Sequence, residues 1–191
     1  MDHVRGLKCT VCGREYGVDE VDYVCPLHGD DGILDVLYDY DRIRAEASPK
    51  GITASGVTTM WRYKALLPVA ADAPVPPLRV GWTPLYAAPR LAGMHGLSDQ
   101  WVKDDGMNPT ASFKDRASAL AVVKAEEAGA STITTASTGN AAAALAGLAA
   151  SVGLQAVIFV PKTAPEAKIA QHLIYGARVF LVDGTYGDAF E

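Results

Sequence analysis

The chain has 191 residues, 49% of them hydrophobic and 20% charged, with a formal net charge of −5. That is enough apolar material for one large domain, or for a smaller domain with an appendage. A mildly acidic chain with no Lys/Arg run longer than two residues is a poor fit to a phosphate backbone, so no nucleic-acid partner is expected. With no apolar core after Met1-Asp2-His3-Val4-Arg5 and no run of eighteen apolar residues, neither secretion nor membrane insertion is expected.

Residues 1–35 hold all three cysteines, as Cys9-x-x-Cys12 and then Cys25-Pro26-Leu27-His28. Two ligand pairs, each followed by a glycine (Gly13 and Gly29), suit a zinc-ribbon-like arm in which Cys9, Cys12, Cys25 and His28 surround one tetrahedral ion. An odd cysteine count argues against a disulfide framework. A single disulfide or free thiols in a disordered tail is the alternative. Four ligands with no open position would make such a metal structural.

Ile33-Leu34-Asp35-Val36-Leu37-Tyr38-Asp39-Tyr40 alternates as a strand does. Residues 36–100 read as a loop-rich connector leading into the first strands of a larger domain. It contains a helix-like Trp61-Arg62-Tyr63-Lys64-Ala65-Leu66-Leu67 and an extended proline cluster from Pro74 to Pro77. From Gln100-Trp101-Val102-Lys103 onward strand and helix alternate, with helices at 115–128, 140–151 and 165–175 and strands at 132–136, 155–160 and 178–182. Alternation of this kind predicts an α/β fold with a parallel sheet, ligands gathering at the C-terminal strand ends. No internal repeat of fixed period is present.

Two stretches carry chemistry. Asn108-Pro109-Thr110-Ala111-Ser112-Phe113-Lys114-Asp115-Arg116 sets a lysine between an aromatic and an acid, after an Asn-Pro turn and just before a helix. Most lysines are solvated surface charges; here Ser112 can cap the helix or bind an anion, and Phe113 gives the amine an apolar flank suited to a lysine that forms a Schiff base. Thr135-Ala136-Ser137-Thr138-Gly139-Asn140 joins a β-branched strand to an alanine-rich helix. A strand, a polar turn and a helix N-terminus offer free N–H groups to a carboxylate or phosphate, although the same residues also serve as an ordinary N-cap. Both stretches precede helices and are expected on one rim.

Together these stretches resemble the fold type II family of pyridoxal-phosphate enzymes, most closely its threonine synthase branch. The family's lysine motif reads like Asn-Pro-Thr-Gly-Ser-Phe-Lys-Asp-Arg, with Ala111 here where glycine is usual, and its second motif like Ser-Ser/Thr-Gly-Asn followed by alanines. Gly81-Trp82-Thr83-Pro84-Leu85, Pro165-Glu166-Ala167-Lys168-Ile169-Ala170-Gln171, and Tyr175-Gly176-Ala177 leading to Tyr186-Gly187-Asp188-Ala189-Phe190 also look like that branch, so the resemblance runs from about Gly81 to the end. It implies a tryptophan synthase β-like fold of parallel sheets and helices, with a pyridoxal 5'-phosphate-binding α/β domain at 101–191. It implies Lys114 as the cofactor-bearing lysine and general base, and Asn140 as the partner of the cofactor's phenolic oxygen. Ser137, Thr138 and the N–H groups near Gly139 would take the substrate carboxylate, and Phe113 would be a packing wall; Ser112 and Lys103 are weaker candidates, Lys103 either meeting a substrate phosphate or standing as a solvated edge charge. Asp115 and Arg116 would pair with each other or cap the helix.

The implied reaction converts O-phospho-L-homoserine and water to L-threonine and phosphate, in a cytoplasmic enzyme that binds a small amino-acid substrate and is a homodimer when full length. Some threonine synthases carry a similar N-terminal knuckle with four cysteines, so His28 is a departure. Family members are roughly twice as long, and Gly184-Thr185-Tyr186-Gly187 reads as a turn rather than their phosphate-holding glycine loop. The expectation is an N-terminal part of an enzyme, incompetent alone. Two alternatives are a serine/threonine dehydratase or other β-replacing enzyme of the same fold, and a non-catalytic fragment or partner subunit.

Overall fold

A computed structural model describes residues 3–191 and divides them into two units. The first runs through Val57 and takes up Trp61–Asp72; the second comprises Thr58–Met60 and Ala73–Glu191. The connector expected over 36–100 is shared between the units: 36–57 and 61–72 fall in the first, 58–60 and 73–100 in the second.

The first unit is built on an antiparallel sheet of β1 (Val4–Cys9), β2 (Glu15–Tyr16) and β3 (Leu34–Tyr38), with β1 in the middle. Cys9, Tyr16 and Cys25 form a buried cluster with Val21 and Leu34 packed against it, and Ile43, Trp61 and Val69 are also buried in this unit. The strand expected at 33–40 is shorter, because the Asp39 side chain accepts from Arg42 N–H and starts α1 (Tyr40–Glu46). Helix α2 (Pro49–Ala54) begins in the same way, from Ser48 with proline at its first position. The helix-like stretch at 61–67 is a tight 3₁₀ segment, Met60–Leu66, interrupted at Tyr63.

In the second unit β4 (Leu85–Ala87) is followed by α3 (Pro89–Met94) and β5 (Trp101–Lys103), and the two strands pair antiparallel as a separate two-stranded sheet. This corrects the expectation that strand and helix alternate in one parallel sheet from residue 100. The parallel sheet proper begins later. After α4 (Lys114–Glu127) come β6 (Thr132–Ala136), α5 (Asn140–Val152), β7 (Gln155–Pro161), α6 (Glu166–Ile174), β8 (Arg178–Val182) and α7 (Tyr186–Phe190). The sheet order is β6-β7-β8, with Thr134 beside Val157 and Phe159 beside Phe180.

The core lies where α4 and α5 pack together and where α5 meets β7. Ala119, Val122 and Val123 of α4, Leu148 of α5, and Ile158 and Val160 of β7 are fully buried. Every residue from Ala142 to Ala149 is buried, so α5 is a helix whose small side chains admit neighbours on all sides rather than one apolar stripe. It ends at Gly153 in the left-handed conformation, where Leu154 N–H closes back on the Ala149 carbonyl. Among the described residues no helix is long and apolar enough to cross a membrane.

Candidate functional site

Lys114 is the first residue of α4, and its backbone N–H donates to Ser112 Oγ at 3.3 Å. Its half-buried side chain lays Nζ over the Phe113 ring, 4.9 Å from the centroid. No hydrogen bond or ion pair engages that Nζ among the described residues. An amine left unpaired by its own chain is chemically available.

The loop that delivers Lys114 is rigidly built. Asp115 does not pair with Arg116: it is fully buried and accepts from the Thr110 N–H, at 2.7 Å, and from the Thr110 hydroxyl, closing the turn before the helix. Arg116 instead grips Asp105 through Nε at 3.0 Å and Nη2 at 2.8 Å, while Thr83 Oγ1 donates to the same carboxylate at 2.6 Å. The hydrogen bond from Arg116 holds the Asp105 carboxyl down to about 2, against the opposing effect of burial. Lys103 Nζ donates to the Thr83 carbonyl, so the residue considered for a substrate phosphate is engaged within the unit. Gly81 N–H donates to Asn108 Oδ1 at 2.9 Å, tying the Gly81-Trp82-Thr83-Pro84 stretch to the lysine loop.

Ala111, where the family has glycine, takes φ of 61°. The glycine preference thus has a local cause: the turn needs a left-handed residue, which costs an alanine roughly 1 kcal/mol. Gly147 on α5 shows the complementary constraint, since a Cβ there would stand 2.7 Å from Thr110 Cγ2. The lysine loop therefore seats directly on the alanine-rich helix.

Asn140 is the first residue of α5, and Gly139 before it makes no side-chain cap. Gly139 N–H donates to Ser137 Oγ at 3.2 Å. Ser137, Thr138 and Gly139 are half-buried and Asn140 is exposed. Asn140 Oδ1 accepts from Lys168 Nζ at 2.8 Å. The turn follows a strand of the parallel sheet as expected, whereas Lys114 follows the antiparallel β4/β5 pair. The structure joins their elements through α4–α5 packing and gives no direct hydrogen bond between Lys114 and the Ser137–Asn140 turn among the described residues.

Two neighbours escaped sequence reasoning. Lys168 lies on α6, and one turn later His172 is fully buried beside the Gly139 backbone. Burial pushes the His172 pKa below the ordinary imidazole value. Their spacing of four on one helix was the available signal.

In the first unit Cys9, Cys12, Cys25 and His28 converge, with their ligand atoms all within 4.8 Å of one another. Cys12 Sγ lies 4.0 Å from Cys25 Sγ, and His28 Nδ1 lies 3.9 Å from Cys9 Sγ and 3.5 Å from Cys25 Sγ. A tetrahedral zinc with ordinary bond lengths sets such atoms about 3.5–3.8 Å apart, so the donor set fits the ion in type and spacing. All three cysteines are free thiols. Burial acts to raise the Cys25 pKa, but hydrogen bonds with Tyr16, at 3.0 Å, and His28 bring it down to about 6.

Residues 77–191 match the family model described as pyridoxal-phosphate dependent enzyme. The chain is 44% identical over 184 residues to a threonine synthase of Methanosarcina acetivorans, covering 96% of this chain and 44% of that protein. It is 36% identical over 185 residues to a threonine synthase of Methanocaldococcus jannaschii, covering 96% of this chain and 45% of that protein. Among solved structures, maize serine racemase aligns with a TM-score of 0.52 and 26% identity, over 56% of this chain and 32% of that one. The chain thus spans less than half the length of these two curated relatives.

Proposed function

The chain belongs to the pyridoxal-phosphate dependent enzyme family, and from that premise we propose that it forms the N-terminal part of a threonine synthase, converting O-phospho-L-homoserine and water to L-threonine and phosphate. The observation that carries this reading is Lys114, an unpaired amine at the head of α4, on a loop seated against α5, whose own first residue is Asn140. The residues fit the cofactor: Lys114 offers a free nucleophilic amine, and Asn140 with the uncapped start of α5 offers hydrogen-bond donors to an anionic group.

Bound there, pyridoxal phosphate would serve as the electron sink for charge developing on the substrate's carbons. Lys114 Nζ would hold the cofactor and, once freed, take and return protons as general base. Asn140 would donate to the phenolic oxygen. Ser137, Thr138 and the N–H groups after Gly139 would receive the substrate carboxylate and fix which carbon faces Lys114. Asp105, Arg116, Thr83 and Asp115 position the lysine loop without touching substrate.

The full-length enzyme in this reading is a cytoplasmic homodimer. In the first unit we propose one structural zinc on Cys9, Cys12, Cys25 and His28, a reading favoured by the 3.5–4.0 Å spacing of the donor atoms. The test of function is release of phosphate with formation of threonine from O-phospho-L-homoserine by the full-length protein. Turnover lost by at least 10³-fold in Lys114→Ala supports the reading. Deamination of serine or threonine without phosphate release would assign a dehydratase instead.

A further inference from the structure

The Pro165–Gln171 stretch resembles that of threonine synthases but carries no role in the reading above. The structure places Lys168 Nζ 2.8 Å from Asn140 Oδ1 and 3.2 Å from Gln171 Oε1. We propose that Lys168 is a positioning residue that sets the amide of Asn140, locking its oxygen toward α6 and turning its NH₂ group toward the ligand side of the Ser137–Asn140 turn.

An asparagine amide is a two-ended group, an acceptor at Oδ1 and a double donor at Nδ2, and it can present either end to a ligand. An ammonium has only donors, so it can engage Oδ1 alone. With Oδ1 taken, Nδ2 is the end left over, and it has no hydrogen-bond partner among the described residues. A partner facing that end must accept hydrogen bonds, as an anionic oxygen does. The cation also polarises the amide and strengthens Nδ2 as a donor. Gln171, one turn along α6, holds the other side of the ammonium and limits its rotamers. His172, on the same helix, is fully buried beside the Gly139 backbone.

This inference rests on the reading of Asn140 as the partner of the cofactor's phenolic oxygen, and the experiment separates the two. In the full-length protein, the affinity for pyridoxal phosphate and the pH titration of the bound cofactor's visible absorbance are measured for Lys168→Met, Lys168→Arg, Asn140→Ala and the double variant Asn140→Ala/Lys168→Met. Thermal unfolding of the cofactor-free proteins reports folding. Lys168→Met and Asn140→Ala should each weaken cofactor binding about tenfold and displace the titration in the same direction. Lys168→Arg should stay within about threefold of wild type. The double variant should be no weaker than Asn140→Ala, because a positioning residue has nothing left to position.

Loss in Asn140→Ala with wild-type behaviour in Lys168→Met overturns the inference and leaves the site reading intact, as do effects that multiply in the double variant. No loss in Asn140→Ala overturns the site reading itself. If Lys168→Met fails to fold, Lys168→Arg decides: a folded Arg variant with an undisplaced titration supports the proposal, and one that binds as weakly as Asn140→Ala contradicts it.

Discussion

The two units solve the same problem, fixing a chain in one conformation, by different means. The first buries a few scattered hydrophobic side chains, among them Tyr16, Ile43, Trp61 and Val69, and its Cys9, Tyr16 and Cys25 cluster brings four ligand atoms within 4.8 Å of one another. The second buries an unbroken run from Ala142 to Ala149 between α4 and β7 and needs no ion to do so. Where small side chains let helices approach closely, packing alone positions a lysine loop. Where the buried side chains are fewer and scattered, the proposed zinc would supply the missing constraint. Metal removal should therefore separate the units, and side-chain truncation should act on one at a time.

The largest expected effect follows from the proposed zinc. Chelation, or Cys25→Ser, should abolish the protection of β1–β3 amides from hydrogen exchange while α4, α5 and the parallel sheet keep theirs; structural zinc binding is worth on the order of 10 kcal/mol. Protection retained in both units would show that the arm folds on apolar packing. The converse truncation is Leu148→Ala, in the middle of α5 and fully buried. It should cost the second unit about 2–5 kcal/mol in chemical denaturation and leave the first unit unchanged.

A smaller effect is electrostatic. Asp105 is held down to about 2 by Arg116, so its contribution is complete above the unfolded carboxylate value near 4 and is lost as pH falls through about 2. Both side chains are partly exposed, at 23% and 34%, which reduces the stabilisation to about 1 kcal/mol. Asp105→Asn should show that deficit at pH 7 and converge with wild type in acid. Smallest is Ala111→Gly, which relieves the left-handed strain at φ of 61° and should stabilise the second unit by no more than about 1 kcal/mol, since glycine loses more chain entropy on folding. A destabilised glycine variant would mean that the turn is not strained.

What the sequence revealed follows the same division. The β-branched run 132–136, the alanine-rich helix and the strand at 178–182 have strong local periodicity, and the structure keeps them nearly where the pattern placed them. The pairing of Trp101–Lys103 with Leu85–Ala87 was not legible, because antiparallel and parallel partners look alike over three residues. At the candidate site, motif residues were legible one at a time. Their partners were not: Arg116 reaches back eleven residues to Asp105, and Lys168 reaches 28 residues to Asn140, distances over which no local pattern exists. Asp115 is adjacent to Arg116 in sequence yet bonds Thr110, because the turn at Ala111 folds that loop onto the helix start.

The central claim is that Lys114 is the cofactor-bearing residue. The most direct measurement is borohydride reduction of the full-length protein loaded with pyridoxal phosphate, followed by mass mapping of the modified peptide. Modification confined to Lys114 is the expected result, and modification of another lysine, or of none, would contradict it.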